Sequence, residues 1–229
     1  MSINIQQQSS KEMIDIAIIG AGGFGREVKC LIEDINNSTQ QLEKYNIIGF
    51  YDDGIEKGTK IHNHVVLGKV SDVNNHSKPL NVVVAIGTPK TKKNVISSIT
   101  NRLILYPNLI HPSVIKSKNN IVLGKGNIIT AGCILTCDIS IEDFVILNLA
   151  CTVGHDTVIK SYSSFMPSVN ISGEVVVNEQ VYVGTGVKII NQLEIGYNTI
   201  VGAGALVSKT LPKNCTAVGV PAKPIKFHE

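Results

Sequence analysis

The chain has 229 residues, enough for two domains, and a net charge of only +3. No run of basic residues accompanies this charge and aromatic residues make up 5%, which argues against nucleic acid as a partner. Five cysteines without a Cys-x-x-Cys pair indicate free thiols in a reducing compartment, so we expect a cytoplasmic protein. We find no stretch suited to a membrane, and we expect residues 1–10 to form a disordered tail.

Apolar strands alternate with helices over residues 11–108. The run Ile14–Ile19 predicts a strand that ends in glycines, and Arg26–Ile35 then has helical spacing of its apolar residues. Later runs predict further elements, namely strands at Tyr45–Tyr51, Val65–Leu67, Asn81–Ile86 and Leu103–Tyr106 and a helix at Pro89–Thr100. This alternation predicts an α/β N-terminal domain of Rossmann-like type.

Glycines at Gly20, Gly22, Gly23 and Gly25 lie between the first predicted strand and the first helix. Glycines there let the backbone approach a diphosphate, while the helix N-terminus supplies N–H donors and a positive dipole. Arg26, in the first helical turn, either adds a phosphate contact or is a solvated arginine. The motif alone is compatible with a glycine turn that serves packing only.

Two acidic residues, Asp52 and Asp53, follow the second predicted strand. In a nicotinamide site an acidic residue here contacts the adenosine ribose. The same pair could contact the base or ribose of a sugar nucleotide, or form a turn without a ligand.

An apolar side chain recurs at every sixth position through the second half of the chain: Leu123, Ile129, Leu135, Ile141, Leu147, Val153, Ile159, Phe165, Ile171, Val177, Val183, Ile189, Ile195, Val201 and Val207. A helix with 3.6 residues per turn drifts off this repeat, whereas short strands separated by corners retain it. The repeat predicts an all-β hexapeptide solenoid, a parallel β-helix, over residues 109–210. We expect residues 211–229 to form a C-terminal capping tail.

Glycine or asparagine often follows the repeated apolar residue, as at Gly124, Asn148, Gly154, Asn178, Gly184, Gly196 and Gly202. We expect these residues to tolerate the strained backbone of a corner. The parallel solenoid would leave flat faces and open ends, which indicates capping or contacts between copies.

His155 and Asp156 are the candidate catalytic residues of the solenoid. A neutral imidazole is a suitable general base, and an adjacent carboxylate can orient it and stabilise the imidazolium. Asn148 precedes this pair within the same coil and could approach His155 or a substrate. A surface histidine beside an aspartate is, however, also compatible with an inert surface.

In order along the chain, these motifs resemble the bacterial sugar acyltransferases of the left-handed β-helix class. That class includes N-acetyltransferases of nucleotide-linked 4-amino sugars, of the bacillosamine and perosamine type, and sialic acid O-acetyltransferases. The resemblance covers nearly the whole chain, and its pieces are GAGGFGREV, Asp52-Asp53, Ala85-Ile86-Gly87, His111-Pro112-Ser113, Asn148 with Gly154-His155-Asp156, Asn170-Ile171-Ser172-Gly173 and Gly219-Val220-Pro221-Ala222-Lys223.

The resemblance implies an acetyl-CoA-dependent N-acetyltransferase of a nucleotide-linked 4-amino-4,6-dideoxy sugar in bacterial surface glycan biosynthesis. It implies a homotrimer with acetyl-CoA sites between solenoids, and direct transfer that needs no metal. His155 would be the general base, tuned by Asp156, and Asn148 would position the amine. The glycine motif with Arg26, Asp52, Asp53 and Gly87 would bind the nucleotide sugar, and the acetyl-CoA contacts would be Ser164, Gly173, Thr185, Gly202 and Ala203.

Three alternatives remain open from the sequence. A sugar O-acetyltransferase of the sialic acid type would share the reaction class, and it would depend more strongly on the base because a hydroxyl is a poorer nucleophile. A nicotinamide oxidoreductase would explain the glycine motif and would leave the solenoid without a role. A non-catalytic solenoid that binds sugar nucleotides would show binding without turnover.

Overall fold

The computed structural model describes residues 13–39 and 44–228. The tail predicted at residues 1–10 lies outside the described residues. The N-terminal elements are, in chain order, β1 (Ile14–Ile19), α1 (Gly23–Asn37), β2 (Tyr45–Tyr51), β3 (Lys60–Ile61), β4 (His64–Gly68), a 3-10 helix (Val70–Asn75), β5 (Leu80–Val84), α2 (Pro89–Ser98) and β6 (Ile104–Leu105).

The N-terminal strands form one sheet in the order β3-β4-β2-β1-β5-β6. Strand β1 is central and pairs in parallel with β2 and β5, and only β3 runs antiparallel to its neighbour. The apolar runs become buried strands, and both faces of the sheet are packed against apolar side chains. Helix α1 begins at Gly23, within the glycine motif, rather than at Arg26 as the apolar spacing indicated.

The remaining strands form the predicted solenoid, and they are β7 (Leu109–Ile110), β8 (Ile115–Lys116), β9 (Ile121–Leu123), β10 (Ile128–Ile129), β11 (Ile134–Leu135), β12 (Ile139–Ile141), β13 (Ile146–Leu147), β14 (Thr152–Val153), β15 (Val158–Ile159), β16 (Ser164–Phe165), β17 (Asn170–Ile171), β18 (Val176–Val177), β19 (Tyr182–Val183), β20 (Lys188–Ile189), β21 (Glu194–Ile195), β22 (Ile200–Val201), β23 (Leu206–Val207), β24 (Cys215–Val218) and β25 (Lys223–Phe227). A strand typically pairs in parallel with the strand one coil of 18 residues away, as β13 does with β16. The predicted α/β domain followed by a parallel β-solenoid is confirmed.

Three stacked sheets form the faces of the solenoid. The first face contains β7 and every third strand up to β22, followed by β24 and β25; the second face begins at β8 and the third at β9. We call the turn from the first to the second face the first corner, the turn from the second to the third face the second corner, and the turn back to the first face the third corner. The repeated apolar residues point inward and form one continuous core.

The corner glycines serve a purpose different from the predicted one. The left-handed backbone lies three residues after the inward residue, for example at Asp156 (φ 56°) and Gly186 (φ 74°). The glycines directly after the inward residue instead allow close contact between coils. A Cβ on Gly154 would lie 2.6 Å from the Gly173 nitrogen, and one on Gly184 would lie 2.5 Å from the Ala203 nitrogen. Steric fit against the next coil therefore explains these glycines.

The C-terminal segment adds an antiparallel hairpin to the first face. Strand β24 pairs in parallel with β22, so the stacking continues beyond residue 210, and β25 turns back along β24. At the other end, the first face packs against the N-terminal domain, because Ile128 and Ile146 share a buried cluster with Val28 and Ile32 of α1. The first face therefore carries the N-terminal domain.

Candidate active site

His155 and Asp156 meet at the second corner, directly after β14. His155 Nδ1 lies 2.8 Å from Asp156 Oδ2, and their side chains are 56% and 59% exposed. The left-handed backbone of Asp156 turns its carboxylate back toward the preceding imidazole. A carboxylate on Nδ1 favours the tautomer in which that nitrogen carries the proton and leaves Nε2 as the free base.

Gly173 occupies the same corner one coil further on. A Cβ at Gly173 would lie 2.5 Å from His155 Nε2, so the imidazole rests on bare backbone. The structure thereby brings together His155, Asp156 and Gly173, three of the predicted site residues. Any side chain larger than glycine at position 173 would displace the imidazole ring. Cys137 lies one coil earlier in the same column, where its carbonyl accepts a hydrogen bond from the Asp156 N–H.

Asn148 lies at a different corner from His155. It follows β13 on the first face, whereas His155 follows β14 on the second face, so the two residues occupy the two edges of the second face. Asn148 is 6% exposed, and its Oδ1 accepts the Leu149 N–H at 2.7 Å. Within one chain, the structure therefore does not bring Asn148 to the imidazole.

Of the remaining predicted acetyl-CoA contacts, Thr185, Gly202 and Ala203 lie at the first corner. Gly202 continues the column of Asn148, and Thr185 and Ala203 are stacked in the adjacent column and are exposed. Ser164 has a different environment. It is fully buried on the first face, and its hydroxyl is 2.9 Å from Lys92 Nζ of α2. The prediction that Ser164 contacts acetyl-CoA does not fit this position, because α2 covers the side chain.

The predicted nucleotide contacts lie together at one edge of the N-terminal sheet. The glycine motif follows β1, Asp52 and Asp53 follow β2, and Gly87 follows β5; these strands are adjacent and parallel, so their carboxyl ends coincide. Ligands of open α/β sheets bind at this edge. The sequence placed the glycine and aspartate motifs correctly at strand ends, and the sheet order explains their proximity.

The four motif glycines differ in what surrounds them. Gly20 has a φ of +97°, and a Cβ on Gly25 would lie 1.9 Å from the Gly20 carbonyl oxygen, so these two allow the helix to pack on the loop. Gly22 has no atom within 4 Å of its Cβ position, and Gly23 has only the Arg26 guanidinium at 4.0 Å. Gly22 and Gly23 therefore leave open space in front of the α1 N-terminus.

Asp52 and Asp53 hold backbone groups in this structure. Asp52 Oδ2 accepts the Ala21 N–H at 2.7 Å, and its Oδ1 accepts the Gly54 N–H at 2.8 Å. Asp53 Oδ1 accepts the Val70 N–H at 2.9 Å, and Asp53 lines a cavity together with Lys57 and Lys69. Asp52 thus uses both of its carboxylate oxygens, one of them to support the glycine loop, whereas Asp53 accepts a backbone N–H with one oxygen.

Gly87 joins this edge to the solenoid. Its Cβ position lies 4.0 Å from Met166 Cε, and Met166 belongs to the first corner. Neither Met166 nor Lys92 had a signal in the sequence. Met166 directly follows the repeated residue Phe165, at a position that the repeat does not mark, and Lys92 lies among other lysines of a polar helix.

In the described part of the chain, no three His, Cys, Asp or Glu side chains are grouped as metal ligands would be. Among residues 13–39 and 44–228, no helix has the length and apolar character needed to cross a membrane.

Comparison with known proteins decides the family. Residues 15–99 match the family model of the PglD N-terminal domain. GDP-perosamine N-acetyltransferase of Escherichia coli O157:H7 is 30% identical over 220 residues, which cover 91% of this chain and 95% of that enzyme. The chain belongs to the bacterial sugar acetyltransferase family. The predicted resemblance and the predicted acetyltransferase activity are confirmed.

Solved structures of this family share the fold of this acetyltransferase over almost its whole length. The acetyltransferase domain of PglB from Neisseria gonorrhoeae, in complex with acetyl coenzyme A, has a TM-score of 0.83 and 27% identity, and covers 93% of this chain and 100% of its own. A second structure is perosamine N-acetyltransferase from Caulobacter crescentus, with one histidine replaced by asparagine, in complex with CoA and GDP-perosamine. It has a TM-score of 0.82 and 26% identity, and it covers 94% of this chain and 98% of its own. This enzyme is therefore a sugar N-acetyltransferase.

Proposed function

We propose that this enzyme transfers the acetyl group of acetyl-CoA to the amine of a nucleotide-linked 4-amino-4,6-dideoxy sugar, in the synthesis of bacterial surface glycans. The observation that carries the proposal is the contact of His155 Nδ1 with Asp156 Oδ2 at 2.8 Å, at an exposed corner beside bare glycine backbone. The CoA and GDP-perosamine bound to the Caulobacter enzyme support this substrate class.

His155 acts as the general base. The sugar amine attacks the thioester carbonyl carbon, a C–N bond forms, and the C–S bond breaks. Nε2 of His155 takes the proton that the amine loses, and the imidazolium can return it to the departing thiolate. Asp156 holds the ring and stabilises its charged form, since its carboxylate contacts Nδ1. The backbone N–H of Gly173 is our candidate donor to the thioester oxygen.

The nucleotide binds at the carboxyl edge of β1, β2 and β5. The open space before Gly22 and Gly23 would hold the diphosphate at the α1 N-terminus, with Arg26 as an added cation. Asp53 keeps one carboxylate oxygen for the base or ribose, and Gly87 leaves room beside Met166 for the sugar end. In this arrangement the sugar would point toward the first corner of the solenoid.

A homotrimer would complete the site. Gly87, Thr185 and Ala203 lie toward the first corner, whereas His155 lies at the second, so one chain separates the substrate contacts from the base. Apolar side chains are exposed along these corners, with Leu149 at 46% and Ile190 at 39%. We propose that the second corner of one copy faces the first corner of the next, as a closed three-fold ring requires.

Release of the CoA thiol tests the proposal. Acetyl-CoA is mixed with GDP-perosamine, with UDP- and dTDP-linked 4-amino-4,6-dideoxyhexoses, and with sialic acid in parallel. We expect thiol release with a nucleotide amino sugar and an N-acetylated product by mass spectrometry. Release with sialic acid alone would contradict the proposed acceptor, and nucleotide binding without release would favour a binding protein.

The shared site has its own test. A trimer has three times the 24.6 kDa mass of one chain, which light scattering measures directly. We further expect that inactive His155→Ala chains and inactive Ala203→Phe chains regain activity when mixed as one oligomer. Some sites then combine the intact second corner of one chain with the intact first corner of another. No recovery in verified mixed oligomers would contradict a site shared between chains.

A further inference from the structure

Lys92 is buried between α2 and the first face of the solenoid, away from the His155 corner. Its side chain is 1% exposed, and Nζ lies 2.9 Å from Ser164 Oγ and 3.4 Å from the Ser163 carbonyl oxygen. No carboxylate forms an ion pair with it among residues 13–39 and 44–228, although its neighbour Lys93 pairs with Glu179 at 2.8 Å. Lys92 is therefore a buried amine that donates hydrogen bonds to neutral oxygens.

Burial explains the chemistry of this amine. Desolvation lowers the pKa of Lys92 well below its usual value of 10.5. Nζ donates to the Ser164 hydroxyl oxygen at 2.9 Å and to the Ser163 carbonyl oxygen at 3.4 Å, so the buried amine has two hydrogen-bond acceptors. A buried polar group of this kind contributes little net stability compared with an apolar side chain of similar volume. Stability alone therefore does not account for a lysine here, whereas its directional contacts define one register of α2 on the solenoid.

That register determines where Gly87 lies. The Lys92 N–H donates to the Thr88 carbonyl at 2.9 Å, so Lys92 belongs to the helical turn that follows the Gly87 loop. Ser164 lies two residues before Met166, whose Cε is 4.0 Å from the Gly87 Cβ position. Two contacts thus link the Gly87 loop and the start of α2 to the first face: Lys92 contacts Ser164 of β16, and Met166 lies beside Gly87.

We propose that Lys92 is a positioning residue, which holds the Gly87 end of the nucleotide-sugar site in register with the solenoid through Ser164. The inference rests on the proposed function, because Gly87 is taken to contact the nucleotide sugar. Lys92 touches no reacting group. A methionine in its place would keep the apolar stem but lose the directional contacts, since a thioether adapts to many packings. The helix would then remain docked while the loop lost its defined position.

The test compares kinetics and stability in the full-length enzyme. Lys92→Met and Ser164→Ala remove the two sides of the contact, and Lys93→Met removes the half-exposed pair with Glu179 on the same helix as a matched control. We expect Lys92→Met and Ser164→Ala to raise KM for the nucleotide amino sugar by about 3- to 10-fold, the range of one hydrogen bond. KM for acetyl-CoA should stay within about twofold, as expected for a group acting on one substrate only. The double variant should be no worse than the stronger single variant, because both remove one contact.

Melting temperature separates positioning from structure. The proposal requires that Lys92→Met melts no lower than the wild type while its KM for the sugar rises, and that Lys93→Met changes neither KM. An unchanged sugar KM, an equal rise in both KM values, or a rise that follows a lower melting temperature would overturn it. Ser164→Ala keeps the test available if Lys92→Met fails to fold.

Binding distinguishes the two proposals. Calorimetric titration with GDP-perosamine and with UDP- and dTDP-linked 4-amino-4,6-dideoxyhexoses, without acetyl-CoA, measures the nucleotide-sugar site without turnover. A wild-type enzyme that binds one of them but transfers no acetyl group contradicts the proposed function, and weaker binding by Lys92→Met then still supports the positioning role. Equal binding by wild type and Lys92→Met, or no binding by the wild type, would overturn the role of Lys92.

Discussion

Asp156 Oδ2 lies 2.8 Å from Nδ1 of His155, while Nε2 of the same ring rests on the backbone of Gly173 in the next coil. One contact orients the imidazole and the other leaves its free nitrogen beside an open corner. The solenoid geometry creates both contacts, because consecutive coils place residues 155 and 173 in one column. The arrangement predicts a kinetic effect for a substitution at each of the three residues.

Removal of the imidazole should abolish most turnover. We expect His155→Ala to lower kcat by about 10²- to 10⁴-fold, the usual contribution of a general base, with little change in KM for either substrate. CoA thiol release under saturating substrates measures the effect. His62→Asn, which changes an exposed histidine with a left-handed backbone far from the site, is the control and should retain full activity. Wild-type kcat in His155→Ala would refute the base role.

Asp156 acts through His155. Asp156→Asn keeps the size of the side chain and suits the left-handed φ of 56°, so the fold should be unchanged. We expect kcat to fall by about 10- to 100-fold, as for loss of a hydrogen bond to a group that becomes charged. Asp138→Asn makes the same change one coil earlier, where φ is 53°. Equal kinetics in the two variants would argue against orientation of the ring by Asp156.

Gly173 should be intolerant of a methyl group for a kinetic reason. In Gly173→Ala the new Cβ would lie 2.5 Å from Nε2, so the ring must swing away from its position. We expect kcat to fall about 10²-fold, the effect of misplacing a catalytic group by about 1 Å, without a lower melting temperature. Asn191→Ala alters the same corner position one coil further on and should be neutral. A fully active Gly173→Ala enzyme would show that the ring position does not matter.

The glycine motif should divide into structural and binding positions. Gly25→Ala would place a Cβ 1.9 Å from the Gly20 carbonyl oxygen, and overpacking of this kind lowers the free energy of unfolding by about 1–3 kcal/mol or more. Gly23→Ala meets only the tip of Arg26 at the first position of α1, so the free energy of unfolding should not fall. We nevertheless expect Gly23→Ala to bind the nucleotide sugar more weakly, because its methyl group enters the proposed diphosphate space. Urea unfolding and calorimetric titration measure the two effects, and unchanged affinity in Gly23→Ala would locate the diphosphate elsewhere.

Lys92 makes the stability of the fold depend on pH in a defined direction. Burial lowers its pKa in the folded state, so the unfolded chain binds more protons between that lowered pKa and 10.5. The free energy of unfolding should therefore rise with pH in this window, by at most about 1.4 kcal/mol per pH unit. Lys92→Met should lose this rise, while groups shared by both proteins, including Lys93 and Glu179, cancel in the comparison. Identical pH slopes in urea unfolding would show that Lys92 keeps its proton on folding.

Much of the fold could be predicted from local patterns. The run Ile14–Ile19 and the run Tyr45–Tyr51 are strands with the predicted bounds, and the six-residue repeat marks the inward residue of each strand from β9 to β23. These predictions succeed because burial of an apolar side chain at a fixed period depends on the chain within one coil. The start of α1 at Gly23 was missed, since glycine carries no apolar signal and has a low helix propensity.

The solenoid, the α/β domain, the family and the pairing of His155 with Asp156 could be predicted from sequence, because each depends on residues close together in the chain. Packing between distant segments instead places Asn148 and His155 at different corners, covers Ser164 with α2, and makes Gly154 and Gly184 necessary for contact between coils. The same packing buries the amine of Lys92. These features depend on which surfaces meet when distant segments pack. A repeat or a motif within one segment does not indicate which distant residues will contact it.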